Sequence, residues 1–242
     1  MNFFRPSRTI PTTTWTATSR WDLTIQRFVI LIGGLFLFGL GEAFFIQSNL
    51  GNSPWAVFAG GLSKITGYSI EWATFGISLA VVLLWIPLRE KFGIGPIANT
   101  IVVAWAMGVC RSFIPLNAPV GDPTQVASSV TGGVFLFLGI MSIGLGSALY
   151  ITCGLGAGPR QGLMAALHRI TGQPVSRITT ALEVTVCVLG IALGGKFGIG
   201  TILFALLVGQ SVAIWFGVVG RLGAVKDTKD HSDDEPSAAI DG

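Results

Sequence analysis

The side chains best suited to chemistry gather in the stretch LGAGPRQ, residues 155–161. Gly156 and Gly158, with Gly154 just before them, let backbone N–H groups approach a ligand. Pro159 suits the first position of a helix whose N-terminal end carries partial positive charge, and Arg160 adds a planar cation that can grip two oxygens at once, with Gln161 beside it. That combination suits an anion. The structural alternative is a tight turn before a surface helix, with Arg160 on the inner side simply because basic residues collect there.

Three further groups stand out because they lie in or near apolar segments. Glu183 falls about five residues, some 8 Å, past the start of an apolar helix. An ionisable group at the bilayer centre costs about 2.5–3.5 kcal/mol unless it is paired or hydrated, so Glu183 should face the protein interior. It reads as a proton carrier, a cation ligand or a partner of Arg160, or else as a structural hydrogen-bond acceptor. Glu42 and Arg111 fall in the same half of the membrane and are expected to form a structural or gating ion pair, unless Arg111 reaches to the headgroups instead. No Ser/His/Asp, Cys/His or paired-carboxylate set is visible, which argues against an enzyme. Neither His168 nor His231 has neighbours at metal spacing, and Cys110, Cys153 and Cys187 read as small core hydrophobes. No cofactor is implied.

The elements that hold these groups repeat. NLGNSPWAVFAGGLSKITG, residues 49–67, reappears as GLGAGPRQGLMAALHRITG, residues 154–172, an offset of 105. The pentapeptide KFGIG recurs at 91–95 and 196–200, and Gly34, Gly39 and Gly41 map onto Gly139, Gly144 and Gly146. The chain is two copies of one unit. In the first copy Ser53 takes the place of Gly158 and Trp55 that of Arg160, so Ser53 joins the candidate binding residues.

Within each copy the hydropathy pattern predicts three crossing helices and one short helix. The spans are expected near Phe28–Gln47, Ile70–Leu88, Gly95–Phe113, Val130–Ile151, Ile178–Gly194 and Ile199–Val219. The short helices follow Ser53-Pro54 and Gly158-Pro159 and stop at Gly67 and Gly172. At about 1.5 Å per residue they reach about 20 Å, too short to cross. Phe58, Leu62 and Ile65, with their equivalents Leu163, Leu167 and Ile170, predict an apolar face for each. The organisation is a polar, mobile cytoplasmic lead-in over 1–26, a first membrane repeat over 27–113, a connector over 114–128, a second repeat over 129–219 and a disordered cytoplasmic tail over 220–242.

With 51% hydrophobic and 11% charged residues and a mean hydropathy of +0.70, the chain is an integral membrane protein. Its net charge of +3 is scattered rather than gathered into a groove-sized patch, which argues against nucleic acid. With the N-terminus inside, twelve of the fifteen basic residues are cytoplasmic. Three spans per copy then make the second copy enter from the opposite face, so the fold is an all-α polytopic bundle of six transmembrane helices in two inverted three-span repeats, each with a half-helix, in the plasma membrane with both termini cytoplasmic.

The two glycine-proline loops, the run TALEVTVCVLGIALGG at 180–195 and GIGTILFALLVG at 198–209 resemble the bacterial YczE/YitT-like integral membrane proteins across nearly all of residues 28–219. Members of that family often carry an acidic residue after the Pro-Trp or Pro-Arg pair, where this chain has Ala56 and Gln161. The function expected is a permease for a small, anionic or zwitterionic solute. A membrane scaffold or accessory protein is the alternative.

Overall fold

The structure is a computed structural model that describes residues 10–116 and 125–223. Its eight helices are α1 (Ile25–Ser48), α2 (Pro54–Thr66), α3 (Ile70–Leu88), α4 (Ile94–Phe113), α5 (Gln125–Thr152), α6 (Pro159–Thr171), α7 (Val175–Ala192) and α8 (Ile199–Leu222). Six are long and apolar enough to cross a membrane, α5 through its part Val130–Thr152. The two short helices have 13 residues each and begin 105 residues apart. Both start on proline and stop at a glycine with φ near +70°, Gly67 and Gly172.

α1 and α5 form the central crossing. They run antiparallel, with Gly34 against Gly146 and Gly41 against Gly139, and a methyl group on any of the four would meet the partner's backbone. In lipid, where no water is displaced when helices meet, such close backbone approach is what holds two spans together. α4 packs on α1 and α8 on α5, while α2 lies against α7 and α3, and α6 against α3 and α7. Phe45 and Phe204 meet edge to face at 5.3 Å in the α1–α5–α8 core.

The turns that follow α1 and α5 each hold the start of a distant helix. Leu50 O accepts from Gly200 N of α8, and Leu155 O accepts from Gly95 N of α4, both at 2.9 Å. Each carbonyl can point that way because the next residue, Gly51 or Gly156, takes φ near +117°, a backbone conformation that side chains disfavour.

Three expectations change. The predicted apolar face of each short helix packs into the core through Phe58 and Leu62 in α2 and Leu163 and Leu167 in α6, but it stops short of the last turn, where Ile65 and Ile170 are 63% and 61% exposed. The helix starts sit inside the bundle because the α1 and α5 turns pull them in, and the chain emerges toward Gly67 and Gly172. Residues 10–24 of the lead-in are packed, with Thr13 buried and Trp15, Thr16 and Ala17 bonded to Thr152 and Cys153. Finally, α5 begins at Gln125, inside the expected connector; the rest of that connector from 117 on, His231 and the tail beyond 223 lie outside the described residues.

Candidate functional site

The starts of the two short helices and the middle of the bundle meet at one cluster. Glu42 on α1 is only 3% exposed, and Ser53 Oγ lies 3.0 and 2.8 Å from its two carboxylate oxygens, donating its one proton to them. Asn49 and Gly51, both at positive φ, fold the chain back after α1 and set Ser53 beside the helix it has just left. The same Ser53 Oγ accepts from Ala56 N at 3.4 Å and so caps α2.

Arg160 enters from α6. Its guanidinium stands over the Trp55 ring, 4.9 Å from the centroid, within electrostatic reach of the Glu42 and Glu183 carboxylates. It forms no ion pair within 4 Å and no hydrogen bond among the described residues. Beside it is a small, partly open cavity of about 10 Å³, room for one water molecule, walled by Trp55, Thr74, Ile77, Ser78, Val81 and Pro159. Thr74 Oγ1 is buried there without a hydrogen-bond partner.

The base of α6 is fixed from two sides. Trp85 Nε1 donates to Pro159 O at 3.2 Å, and its ring fills the space over Gly162, where a methyl group would overlap it. Gln161 Nε2 donates to Tyr150 OH at 2.5 Å. A side chain on Gly158 would meet Gln161 Oε1, Tyr150 OH and the Asn99 amide, so only glycine lets these polar groups close around the helix start.

The sequence-predicted residues divide accordingly. Ser53, Glu42, Arg160, Gln161 and Glu183 converge, with Gly158 at their edge. Gly156 does not line the cavity: its backbone packs against Gly93, Gly95 and Pro96, where it docks α4. Glu42 and Arg111 do not pair. Arg111 Nη1 is 2.6 Å from Glu71 Oε1, because the last turn of α4 lies against the first turn of α3, whereas Glu42 faces Ser53. Glu183, half-buried on α7, has no hydrogen-bond donor among the described residues and feels Arg160 through charge alone. Trp55, Thr74, Tyr150 and Trp85 were not among the candidates. For Trp55 a signal existed, since it is the offset-105 equivalent of Arg160; for the others nothing in the sequence marks them out from other span residues.

The model of a family of unknown function, DUF6198, matches residues 25–216. The chain belongs to this family. Among DUF6198 relatives, a Haemophilus influenzae protein described as uncharacterized is 39% identical over 215 residues, covering 89% of this chain and 94% of its own. The uncharacterized membrane protein YczE of Bacillus subtilis is 30% identical over 214 residues, 84% of this chain and 95% of its own. The expected likeness to YczE therefore holds over most of the chain, and this DUF6198 member is a membrane protein of an uncharacterized family. No solved structure matches.

Proposed function

We propose that the protein is a secondary permease that carries a small anion together with a proton, binding it at Arg160. The observation that carries this reading is a half-buried arginine between the helices, stacked on Trp55 and without a hydrogen bond or ion pair among the described residues, beside the unpartnered Thr74 hydroxyl. A cation so placed presents its donors to an incoming oxyanion, and Thr74 and Ser78 can supply two further hydroxyl donors. Electroneutrality brings in the proton. One guanidinium faces two carboxylates, Glu42 and Glu183, so an added anion is repelled unless one of them takes up a proton. Glu42 is held by the Ser53 hydroxyl, whereas Glu183 is half-buried with no hydrogen-bond donor among the described residues and is the proton carrier in this reading.

The inverted arrangement of the repeats fits this role. Antiparallel α1 and α5, and the matched links from the α1 turn to α8 and from the α5 turn to α4, support an axis relating the two copies within the membrane plane, near which a substrate site belongs. The distribution of basic residues supports placing the lead-in face in the cytoplasm of a bacterial cell.

The test is uptake into liposomes holding purified protein, driven by an inward proton gradient, over a panel of small carboxylates and inorganic oxyanions. Uptake that is lost in both Arg160→Ala and Glu183→Gln supports the reading. Absence of uptake and of any anion-dependent rise in melting temperature across the panel would defeat it.

A further inference from the structure

The offset of 105 also compares the two ends of the bundle. At the end away from the lead-in, an open pocket of about 390 Å³ is lined by Asn49, Gly51, Lys64, Lys196, Gly198 and Ile199 among others. Their equivalents at the lead-in end are Gly154, Gly156, Arg169, Lys91, Gly93 and Ile94. There the corresponding space is filled by the chain's own N-terminal segment. Ala17 N donates to Cys153 O at 2.9 Å, and a methyl group on Gly154 would touch the Ala17 backbone. Arg20 O accepts from Ile94 N at 3.2 Å, and Arg20 Nη1 donates to Lys91 O at 2.5 Å. Trp15 and Ala17 cover the cluster that contains Cys153 and Leu155.

We propose that residues 13–20 are a removable plug that closes the lead-in mouth of the bundle, so that the two mouths of a nearly symmetric molecule are unequally open. Two properties suit the segment to leaving. It is held by hydrogen bonds, several of them half-buried, and of its eight residues only Thr13 is buried, so its release costs far less than unfolding a span. A latch and a hinge are built in: Arg27, on the first turn of α1, donates to the carbonyls of Trp15 and Thr16, bonds that release must break, while its bond to Asp22 O and its pair with the Asp22 carboxylate at 2.5 Å lie outside the segment and can stay. The segment touches Gly154 and packs on the cluster that contains Leu155, in the turn that leads into Arg160. The gating role rests on the permease reading; the covering itself does not.

Cys153 is the natural reporter, with no exposed surface and Ala17 bonded to its carbonyl. The full chain with Cys110→Ala and Cys187→Ala is labelled with N-ethylmaleimide at pH 8, and compared with the same protein carrying Ala17→Pro, which removes the N–H bonded to Cys153 O, or lacking residues 2–20. The plug predicts that both changes speed Cys153 labelling by at least about tenfold while a parallel protein with only Cys110 keeps its slow rate. Equal Cys153 rates in all forms overturn the proposal. So does a joint rise at Cys110 and Cys153, which would make the segment a general staple of the fold. If labelling rises at Cys153 alone and uptake is absent from every form, the plug stands and the permease reading fails.

Discussion

Arg160 and Trp55 hold the same position in the two copies, and the guanidinium of the one lies 4.9 Å over the ring of the other. In the proposed inverted-repeat reading, two equivalent residues that touch lie near the axis relating the copies, and here they differ sharply in chemistry. A desolvated cation–π contact is worth about 2 kcal/mol. Trp55→Ala should therefore lower the melting temperature in detergent and Trp55→Phe should restore most of it. Arg160→Lys, which keeps the charge but loses the planar stack and the paired donors, should weaken any anion that stabilises the wild type by about tenfold or more. Undiminished anion stabilisation in Arg160→Lys would move the binding site away from this residue.

The pairing of Glu42 with Ser53 and of Arg111 with Glu71 separates two sites that the hydropathy pattern allows to be one. Ser53→Ala should cost about 1.5–3 kcal/mol, since it removes both a donor to a buried carboxylate and the cap of α2. In double-mutant cycles, Glu71→Gln with Arg111→Gln should show a coupling of about 0.5–1 kcal/mol, modest because the pair is partly exposed. Glu42→Gln with Arg111→Gln should add within about 0.5 kcal/mol. Strong coupling in that second cycle would restore the single-gate picture.

Much of this is legible in the chain because its local signals agree. Ser53-Pro54 with Gly67 and Gly158-Pro159 with Gly172 define α2 and α6 to the residue, and the offset supplies the matching of turns. What pattern cannot supply is direction around a helix. Glu42 and Arg111 share a depth in the membrane, yet whether they meet depends on which way α1 and α4 are turned, and that is decided by the close packing of Gly34, Gly39 and Gly41. The lead-in misleads for a different reason: its polar composition fits a mobile tail, and what orders it is a pair of backbone bonds with Cys153 and Ile94 and an arginine bond to Lys91 O that composition does not reveal.

The docking of the short helices offers a sharper test of the duplication. Where α6 presents Gly162 to Trp85 of α3, the equivalent positions of α2 and α7 are Val57 and Gly190, so the large and small partners have changed sides. Gly162→Ala should cost about 1–3 kcal/mol by overpacking, and Trp85→Phe, which removes the ring atoms that the new methyl would meet, should recover part of it. Gly190→Ala meets the backbone at Val57 and Phe58, which cannot rotate away, so no single side-chain change on α2 should rescue it. Melting temperatures of the five proteins decide; equal rescue at both sites would remove the distinction.

Cys153 gives a prediction in pH. Burial pushes its thiol up to about 12, with Arg27 pulling weakly the other way, while an unfolded cysteine ionises near 9. Between these values the native state holds a proton that the unfolded state has lost, so stability is complete below about pH 9 and falls as pH rises toward 12. At pH 10.5 the loss should be about 2 kcal/mol, against almost nothing at pH 8. Other groups also titrate in this range, so the quantity to measure is the difference between wild type and Cys153→Ala. The variant should melt lower at pH 8, because a buried side chain has been trimmed, and the gap should narrow by pH 10.5. A gap that stays constant across that range would mean that Cys153 ionises in the folded protein as readily as a free thiol, and that the N-terminal segment does not seal it from solvent.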